Sequence, residues 1–232
     1  TVSVSSKIVP WRNGVAVPKI CYRFYMPEGY ENFDWYGRGP WDNYRDRKES
    51  CFPGLYHSTV SEQWTGFAKP QETGNKEDVR YIALTNNSGN GLMVVNAQEM
   101  SATVGHWRAE DIYTDVAHRK LHPYEVPMVK ENVVCIDAAN RALGNNSCGP
   151  DVLPQYELLT QPVVMNFTII PLEEVNTKEQ MVEKGRTKGV TCMPVELDNK
   201  DGKVVLSCAT DNATIFYSTN GKSYKKYTAP LS

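Results

Sequence analysis

The feature that most constrains the fold of this chain is a succession of short runs of strand-forming residues. Clusters of glycine, proline and asparagine separate these runs, and such clusters are typical of turns. A pattern of many short strands with few helices favours antiparallel sheets packed as a sandwich. The predicted strands are residues 1–4, 20–26, 78–85, 91–96, 133–137, 155–159, 163–170, 204–208 and 214–219, and two further runs, 51–60 and 64–70, precede a turn at 70–76.

Two features refine this prediction. Residues 78–85 and 91–96 are expected to form a hairpin across a loop rich in asparagine and glycine, and Asn220-Gly221 is expected to form a second hairpin turn. Residues 109–121 are the single predicted helix, with acidic residues in the first turn. The charged segment 171–189 reads as a linker, partly helical, between 1–170 and a smaller unit at 190–232.

Composition excludes several classes of function. The 232 residues have a net charge of -2, which argues against nucleic acid or an anionic membrane as the main partner. Apolar runs are too short to span a bilayer. The six cysteines form no CxxC pair, so the pattern indicates neither a zinc cluster nor a thioredoxin-type site. The chain begins at Thr1 inside a predicted strand, and we expect it to be a piece of a longer protein.

The segment 35–48, WYGRGPWDNYRDRK, holds the densest pattern of residue types. Its glycines and proline are expected to exclude a helix or a central strand. One interpretation is a buried turn, locked by Arg45 or Arg47 with Asp42 or Asp46. The other is a sugar platform, since aromatic faces beside polar side chains suit carbohydrates. That platform would use three aromatic residues: Trp35, Tyr36 and Trp41.

The residues do not reveal a catalytic centre. His118 and His122 stand four apart on the predicted helix, but no third ligand follows at a known spacing, so a structural or surface role is expected. The sequence contains no nucleophile elbow, no phosphate-binding glycine loop and no carboxylate pair with an arguable environment. From the residues alone, the chain is predicted to be a non-catalytic β-sandwich.

Four motifs nevertheless resemble family 2 β-galactosidases of the lacZ type. Residues 35–47 resemble the signature W-x-G-x-G-P-x-E-N-Y-x-D-R, and residues 70–80 are similar to the segment P-x-E-N-G…R. His118 falls where that family has a histidine after a short helix. Ile136-Asp137 followed by GNNSCGP at 144–150 resembles I-D…G-G-D-D-S-W-x-P. The matches are ordered and cover most of residues 20–160.

The resemblance implies an all-β fold: an antiparallel, galactose mutarotase-like super-sandwich at 1–170, truncated at its front. It also implies that the catalytic TIM barrel, with its glutamates and its Mg and Na ions, lies outside this chain. We therefore expect no catalytic residue, no metal ligand and no cofactor here, and an inactive fragment of a hydrolase of terminal β-D-galactosides. Expected partners are the β-galactoside, the barrel and further copies of the parent enzyme.

The resemblance also carries one candidate substrate-binding loop. Asn145, Asn146 and Ser147 align with the polar residues of the family's D-D-S-W stretch, and Cys148 takes the place of its tryptophan. In the family that tryptophan belongs to the active-site wall and stacks on substrate. Cysteine has no ring, so a reshaped site is expected. The alternative is an ordinary turn in which Cys148 is buried as a small apolar residue.

Residues 190–232 resemble part of the small immunoglobulin-like modules of chitobiase and hexosaminidase type. The resemblance rests on VVLS at 204–207, ATIFYSTNG at 213–221 and YTAP at 227–230. Such modules are appended to secreted and periplasmic glycosidases, which favours those locations, and the end at Ser232 suggests truncation. Two other functions stay open: a free-standing carbohydrate-binding sandwich, and a mutarotase-like enzyme acting on galactose through His106 or His118.

Overall fold

The computed structural model describes residues 1–68, 70–112, 121–144, 151–186, 195–209 and 213–231. The chain is an all-β protein built around a curled, eight-stranded antiparallel sheet, as predicted. The eight strands are β1 Val2–Ile8, β2 Lys19–Met26, β3 Asn32–Gly39, β4 Phe52–Thr59, β5 Lys76–Thr85, β6 Gly91–Gly105, β7 Asn132–Asn140 and β8 Val163–Leu172. The described helices are α1 Ala109–Ile112 and α2 Lys178–Arg186, and single 3₁₀ turns occur at Ser61–Gln63, Pro123–Glu125 and Pro154–Tyr156.

Strand β6 is what turns this sheet into a sandwich. Its first part pairs with β8, with Gly91 opposite Leu172, and its last part pairs with β7, with Ser101 opposite Asp137. The outer edges continue as β8 to β1 and β7 to β2, while β5 continues to β3 and β4. One long strand thus belongs to two diverging sets of strands, and the sheet curls around the space between them.

Two apolar clusters fill the interior. The larger one joins inward-facing residues of most strands, among them Phe33, Trp35, Ile82, Val104 and Ile136, each at most 2% exposed. The second lies on the other side of β5 and β6, whose alternating residues face it. Because β5 and β6 are covered on both faces, their central residues 81–84 and 92–95 are apolar without interruption, as expected for central strands.

The predicted hairpin is confirmed: β5 and β6 pair with Thr85 opposite Gly91. In the loop between them, the Asn86 side chain accepts hydrogen bonds from the backbone N–H of Ser88 and of Asn90, at 3.0 and 3.1 Å. The predicted helix begins at Ala109 as expected. Residues 113–120, including His118, lie outside the described part, and residue 121 is not helical.

Two predictions of local structure were wrong. Residues 155–159 form a 3₁₀ turn followed by a single bridge at Leu159 instead of a strand. The glycines at 37 and 39 lie in a strand, β3, which pairs with β4 along its whole length. They are needed there for close approach, because a Cβ at Gly39 would lie 2.7 Å from the Tyr56 ring and one at Gly37 would lie 2.8 Å from Val79.

The segment predicted as a linker, 171–189, is packed in its described part. Leu172, Val175, Met181 and Val182 are buried in the second cluster, and α2 supplies the helical character that was expected. The sequence did not indicate this contact, because the segment is mostly charged. Two adjacent apolar side chains are enough to pack so short a helix against the sheet. The boundaries of the two proposed domains stay predictions.

Beyond that segment, the described residues form two hairpins, which a bridge between Val204 and Leu231 joins. β9 Glu196–Lys200 pairs with β10 Lys203–Ser207, and β11 Phe216–Tyr217 pairs with β12 Lys225–Lys226 around the predicted turn at Asn220-Gly221. Their assignment to an immunoglobulin-like module stays a prediction. No helix among the described residues is long and apolar enough to cross a membrane.

Candidate functional site

Asn43 is the hub of a buried polar network beneath the segment 35–48. Its backbone N–H donates to the carbonyl of Asn75 at 2.8 Å, and its side-chain oxygen accepts from the N–H of Glu77 at 2.8 Å. Its side-chain nitrogen donates to the carbonyl of Trp41 at 2.9 Å. A buried amide with all of its groups paired holds a loop in one conformation. The segment after β3 is therefore fastened to the start of β5.

Asn75 extends this network to the neighbouring strands. Its nitrogen donates to Glu77 Oε1 at 2.9 Å, and its oxygen accepts from Thr103 on β6 and Asn140 on β7. Burial raises the pKa of Glu77, and the Asn75 hydrogen bond opposes that shift only in part. The network thus links three strands at the end of the sheet where the segment 141–144 leaves β7.

Asp46 fastens that departing segment. Its carboxylate accepts hydrogen bonds from the backbone N–H of Gly144 at 2.8 Å and of Leu143 at 3.3 Å. Gly144 has a positive φ of 61°, and a Cβ there would lie 2.8 Å from the backbone nitrogen of Val152. Only glycine fits this conformation and this close approach without strain. The two ends of the loop 145–150 therefore meet at a position set by Asp46.

Arg141 holds the other side of the same loop base. Its guanidinium donates to both carboxylate oxygens of Glu157, at 2.6 and 3.1 Å, and to Asp151 at 3.0 Å. Two parallel bonds to one carboxylate fix orientation as well as distance. Asp151 is exposed and Glu157 is only half-buried, so the contribution of these pairs is mainly geometric.

A buried cation lies on the inner side of the network. Lys19 Nζ is 3.2 Å from Glu72 and 3.6 Å from Asp137, which is fully buried. Burial lowers the pKa of Lys19, but the two carboxylates outweigh it and the pKa lies above its ordinary value. Burial raises the pKa of Asp137, and its Oδ1 has no partner among the described residues. Glu72 and Asp137 belong to the motifs at 70–75 and 136–150.

Next to this network is a polar cavity of about 1090 Å³. Its walls include Lys48, Glu77, Asp78, Asn140 and Tyr156, and it borders the segment that follows the 145–150 loop. Asp78 is held there by Arg38 and by Lys48, whose Nζ lies 2.8 Å from Asp78 Oδ1. A large cleft lined by polar groups of fixed geometry is suited to ligands with many hydroxyl groups.

The predicted substrate-binding residues cannot be placed in this geometry. Asn145, Asn146, Ser147 and Cys148 lie outside the described residues, so their role stays a prediction. What the structure adds is the anchor that sequence reasoning missed. Asp46 was expected to pair with an arginine, yet it binds the loop base instead. The pairing of Arg47 with Asp42, at 3.1 Å, matches the predicted lock.

The predicted sugar platform is wrong for two of its three aromatic residues. Trp35 is 2% exposed and stacks on Phe33 at 4.9 Å between ring centroids, and Tyr36 is buried against Tyr81. Trp41 has the opposite environment: it is 70% exposed, so the interpretation of a buried turn does not hold for this residue. Trp35 and Tyr36 are neighbours on β3 and face opposite sides of the sheet. Both are buried because this strand lies inside the sheet.

No group of three or more His, Cys, Asp or Glu side chains with metal-binding geometry occurs among the described residues. His122 is solvent-facing at a 3₁₀ turn, where its backbone N–H donates to Glu125 at 2.8 Å. His118 lies outside the described part.

Fold and network together define the chain as an antiparallel β-sandwich whose sequence motifs fasten the base of one loop. A family profile described as "Beta galactosidase small chain" matches residues 1–169, and the chain belongs to that family. The sequence motifs at 35–47, 70–75 and 136–150 all fall within the matched range.

Individual relatives agree with the family assignment. The chain is 31% identical over 142 residues to a "Beta-galactosidase" of Arthrobacter sp. (strain B7), covering 61% of this chain and 14% of that protein. It is 30% identical over 152 residues to the "Beta-galactosidase" of Kluyveromyces lactis, covering 66% and 14%. With the "Beta-galactosidase" of Priestia megaterium it shares 37% over 93 residues, covering 40% and 9%. The matched part is thus a small fraction of each relative's length.

Proposed function

We propose that this chain is the C-terminal sandwich of a β-galactosidase and that it walls the active site of a catalytic TIM barrel lying elsewhere in the parent protein. The parent would be a family 2 glycoside hydrolase acting on terminal β-D-galactosides. The chain alone would be inactive, because the catalytic glutamates and the Mg and Na ions of such enzymes belong to the barrel. The parent would be a homo-oligomer of the periplasm or the outside of the cell.

The observation that carries this proposal is the double anchoring of the loop 145–150. Asp46 binds Leu143 and Gly144 directly before it, and Arg141, just after β7, binds Asp151 directly after it. An ordinary surface turn does not require a buried network spanning three strands, whereas a substrate-positioning loop does, since small displacements of such residues are costly in rate. Asn145, Asn146, Ser147 and Cys148 would then contact the substrate.

The test uses the full-length protein encoded by the gene. Replacing Cys148→Trp adds an aromatic face at the proposed substrate wall. Because an aromatic platform contributes about 1 kcal/mol, KM for lactose should fall about fivefold. The control is Cys208→Ser, a cysteine replacement in the region of the C-terminal hairpins, which should leave KM unchanged. Unaltered kinetic constants in the Cys148→Trp enzyme would contradict the proposed wall, and a full-length protein without galactosidase activity would contradict the proposed function.

A second candidate is favoured by one specific observation. His106 Nε2 lies 3.0 Å from Glu31 Oε2, beside a cavity of about 420 Å³ that Trp64 and Trp107 also line. Interconversion of sugar anomers needs one group to take a proton from the anomeric hydroxyl and another to donate one to the ring oxygen. A histidine and a carboxylate in an aromatic cleft meet that need.

This candidate can be tested on the 232-residue chain. Polarimetry of freshly dissolved α-galactose should show mutarotation faster than the spontaneous rate, and His106→Asn should abolish the acceleration. His122→Asn, at an exposed histidine outside the cavity, is the matched control. A rate equal to the spontaneous one in the unmodified chain would eliminate the mutarotase function while leaving the β-galactosidase proposal intact.

A further inference from the structure

Lys76, the first residue of β5, is a buried lysine. It is 2% exposed, and no ion pair or hydrogen bond joins its Nζ to the residues that the structure describes, although the charge of Asp42 acts on it from a longer distance. Its nearest recorded partner is the Trp35 ring, whose centroid is 4.8 Å from Nζ. A lysine carries three donors and is almost never buried unpaired. Burial lowers the pKa of Lys76 to about 8.

Lys76 lines a cavity of about 410 Å³ that lies beside the segment 35–48. Trp35 and Trp41 also line it, together with Asp42, Gln63 and Glu62. This volume falls near the lower end of the range for small-molecule sites, about 300–1,000 Å³. The unpaired amine therefore borders a space of the right size for one small ligand.

Trp41 gives this cavity an aromatic wall at its surface. Its side chain is 70% exposed although its backbone is fixed, since its carbonyl accepts from Asn43 Nδ2 at 2.9 Å. Its exposed indole ring therefore offers an apolar face beside the cavity, on a backbone that is held in place.

The polar groups of the cavity supply acceptors as well as a donor. Asp42 is held by Arg47 at 3.1 Å and by the Thr73 hydroxyl at 3.4 Å. The side-chain nitrogen of Gln63 donates to Ser58 and to Thr59, which leaves its oxygen as an acceptor. A ligand that satisfies this cavity has hydroxyl groups that both accept and donate hydrogen bonds, and one flat apolar face.

We propose that this cavity is a binding subsite for one neutral saccharide ring. The ring stacks on Trp41, one hydroxyl accepts from the Lys76 ammonium, and others donate to Asp42 and Gln63. An anionic ligand fits less well, because two carboxylates, Asp42 and Glu62, line the same space as Lys76. An apolar ligand would leave the Lys76 ammonium unpaired.

The subsite does not depend on the proposed β-galactosidase activity, since all of its residues belong to this chain. The experiment therefore uses the 232-residue chain and follows the tryptophan indole N–H signals by NMR during titration with methyl β-D-galactopyranoside. We expect saturable shifts with a Kd of about 1–10 mM, the range of a weak single-ring site. D-Galacturonate, the anionic probe, should bind at least about fivefold more weakly.

Two variants and one control test the assignment of residues. Trp41→Ala should weaken binding of the methyl galactoside at least about tenfold, and Lys76→Met, which keeps the apolar stem but removes the charge, should do the same. Trp11→Ala is the matched control, because Trp11 is 98% exposed and does not line the cavity. Trp41 is on the surface, so its replacement does not test folding.

The proposal fails if the methyl galactoside causes no saturable shift, if Trp41→Ala or Lys76→Met binds as well as the unmodified chain, or if Trp11→Ala loses binding to the same extent. Tighter binding of galacturonate than of the methyl galactoside would show an anion site instead, and would overturn the neutral-ligand assignment. A chain that binds sugar while the full-length protein lacks galactosidase activity would support the subsite and contradict only the proposed function.

Discussion

The curled sheet and the C-terminal hairpins are both built from short strands, yet they differ in what holds them. In β5, Ile82, Ala83 and Leu84 are all fully buried, because the strand is covered on both faces. In β9 every residue is exposed, including Leu197 at 70%. Strand pattern alone therefore does not produce stability. Burial of apolar area does, and a hairpin without a covered face has little of it.

The largest expected difference between the two regions concerns aromatic side chains. Trp35→Ala removes a ring from the main core, where it stacks between Phe33 and Tyr56, and should lower the free energy of unfolding by about 3–5 kcal/mol. Phe216→Ala in β11, at a position 58% exposed, should change it by less than about 0.5 kcal/mol. Urea unfolding measures both. Equal losses would show that the hairpins are part of the same cooperative unit.

A smaller difference is expected for two aspartates with the same backbone conformation. Asp78 and Asp201 both have positive φ, 55° and 53°, which asparagine also tolerates. Asp78 binds Arg38 and Lys48, whereas Asp201 lies in the exposed turn between β9 and β10. Asp78→Asn should therefore cost about 1.5–3 kcal/mol at pH 7, while Asp201→Asn should cost almost nothing.

The pH dependence of the Asp78→Asn effect follows from the direction of its pKa shift. Burial raises the pKa of Asp78, but hydrogen bonds from Arg38 and Lys48 outweigh burial and the folded-state pKa lies below its ordinary value. The stabilisation is thus present above about pH 4 and is lost as pH falls through the folded-state pKa. Unfolding free energies of the two proteins should converge in acid. A difference that stays constant down to pH 2 would exclude the ion pairs as its cause.

The smallest expected effect concerns a cysteine pair in the sheet. A hydrogen bond from Cys135 lowers the pKa of Cys21 to about 7, and burial opposes this shift only in part. Alkylation of Cys21 by iodoacetamide, followed by mass spectrometry, should therefore show a midpoint near pH 7. In Cys135→Ala the midpoint should rise toward the ordinary value of about 8.5, with a roughly tenfold lower rate at pH 7. An unmoved midpoint would rule out Cys135 as the cause.

Sequence reasoning succeeded where local patterns decide the structure. The hairpin of β5 and β6 follows from two apolar runs around a loop in which Asn86 caps its own backbone. The start of the helix at Ala109 follows from its acidic first turn. Family membership was predicted from motifs whose residue types and spacing are unusual together, and the profile match over residues 1–169 confirmed it.

Sequence reasoning failed where contacts between residues far apart in the chain determine the structure. The glycines of β3 were taken as strand breakers, but Tyr56 and Val79 need the space that they leave. Trp35 and Trp41 belong to one short segment, yet Trp35 is 2% exposed and Trp41, just after Pro40, is 70% exposed. Asp46 binds a backbone segment almost a hundred residues further along the chain, a contact for which neither partner carries a local signal.

By itself, the sequence determined the all-β class, the strong hairpin and the family, because periodicity, turn residues and motif spacing are properties of neighbouring residues. Only the tertiary structure decided which aromatic residues are available to a ligand, what Asp46 holds, and that Lys76 is buried beside a cavity without an ion pair to any described residue. Those properties depend on which strands lie next to one another, and strand pairing in an antiparallel sandwich joins residues that are far apart in the chain.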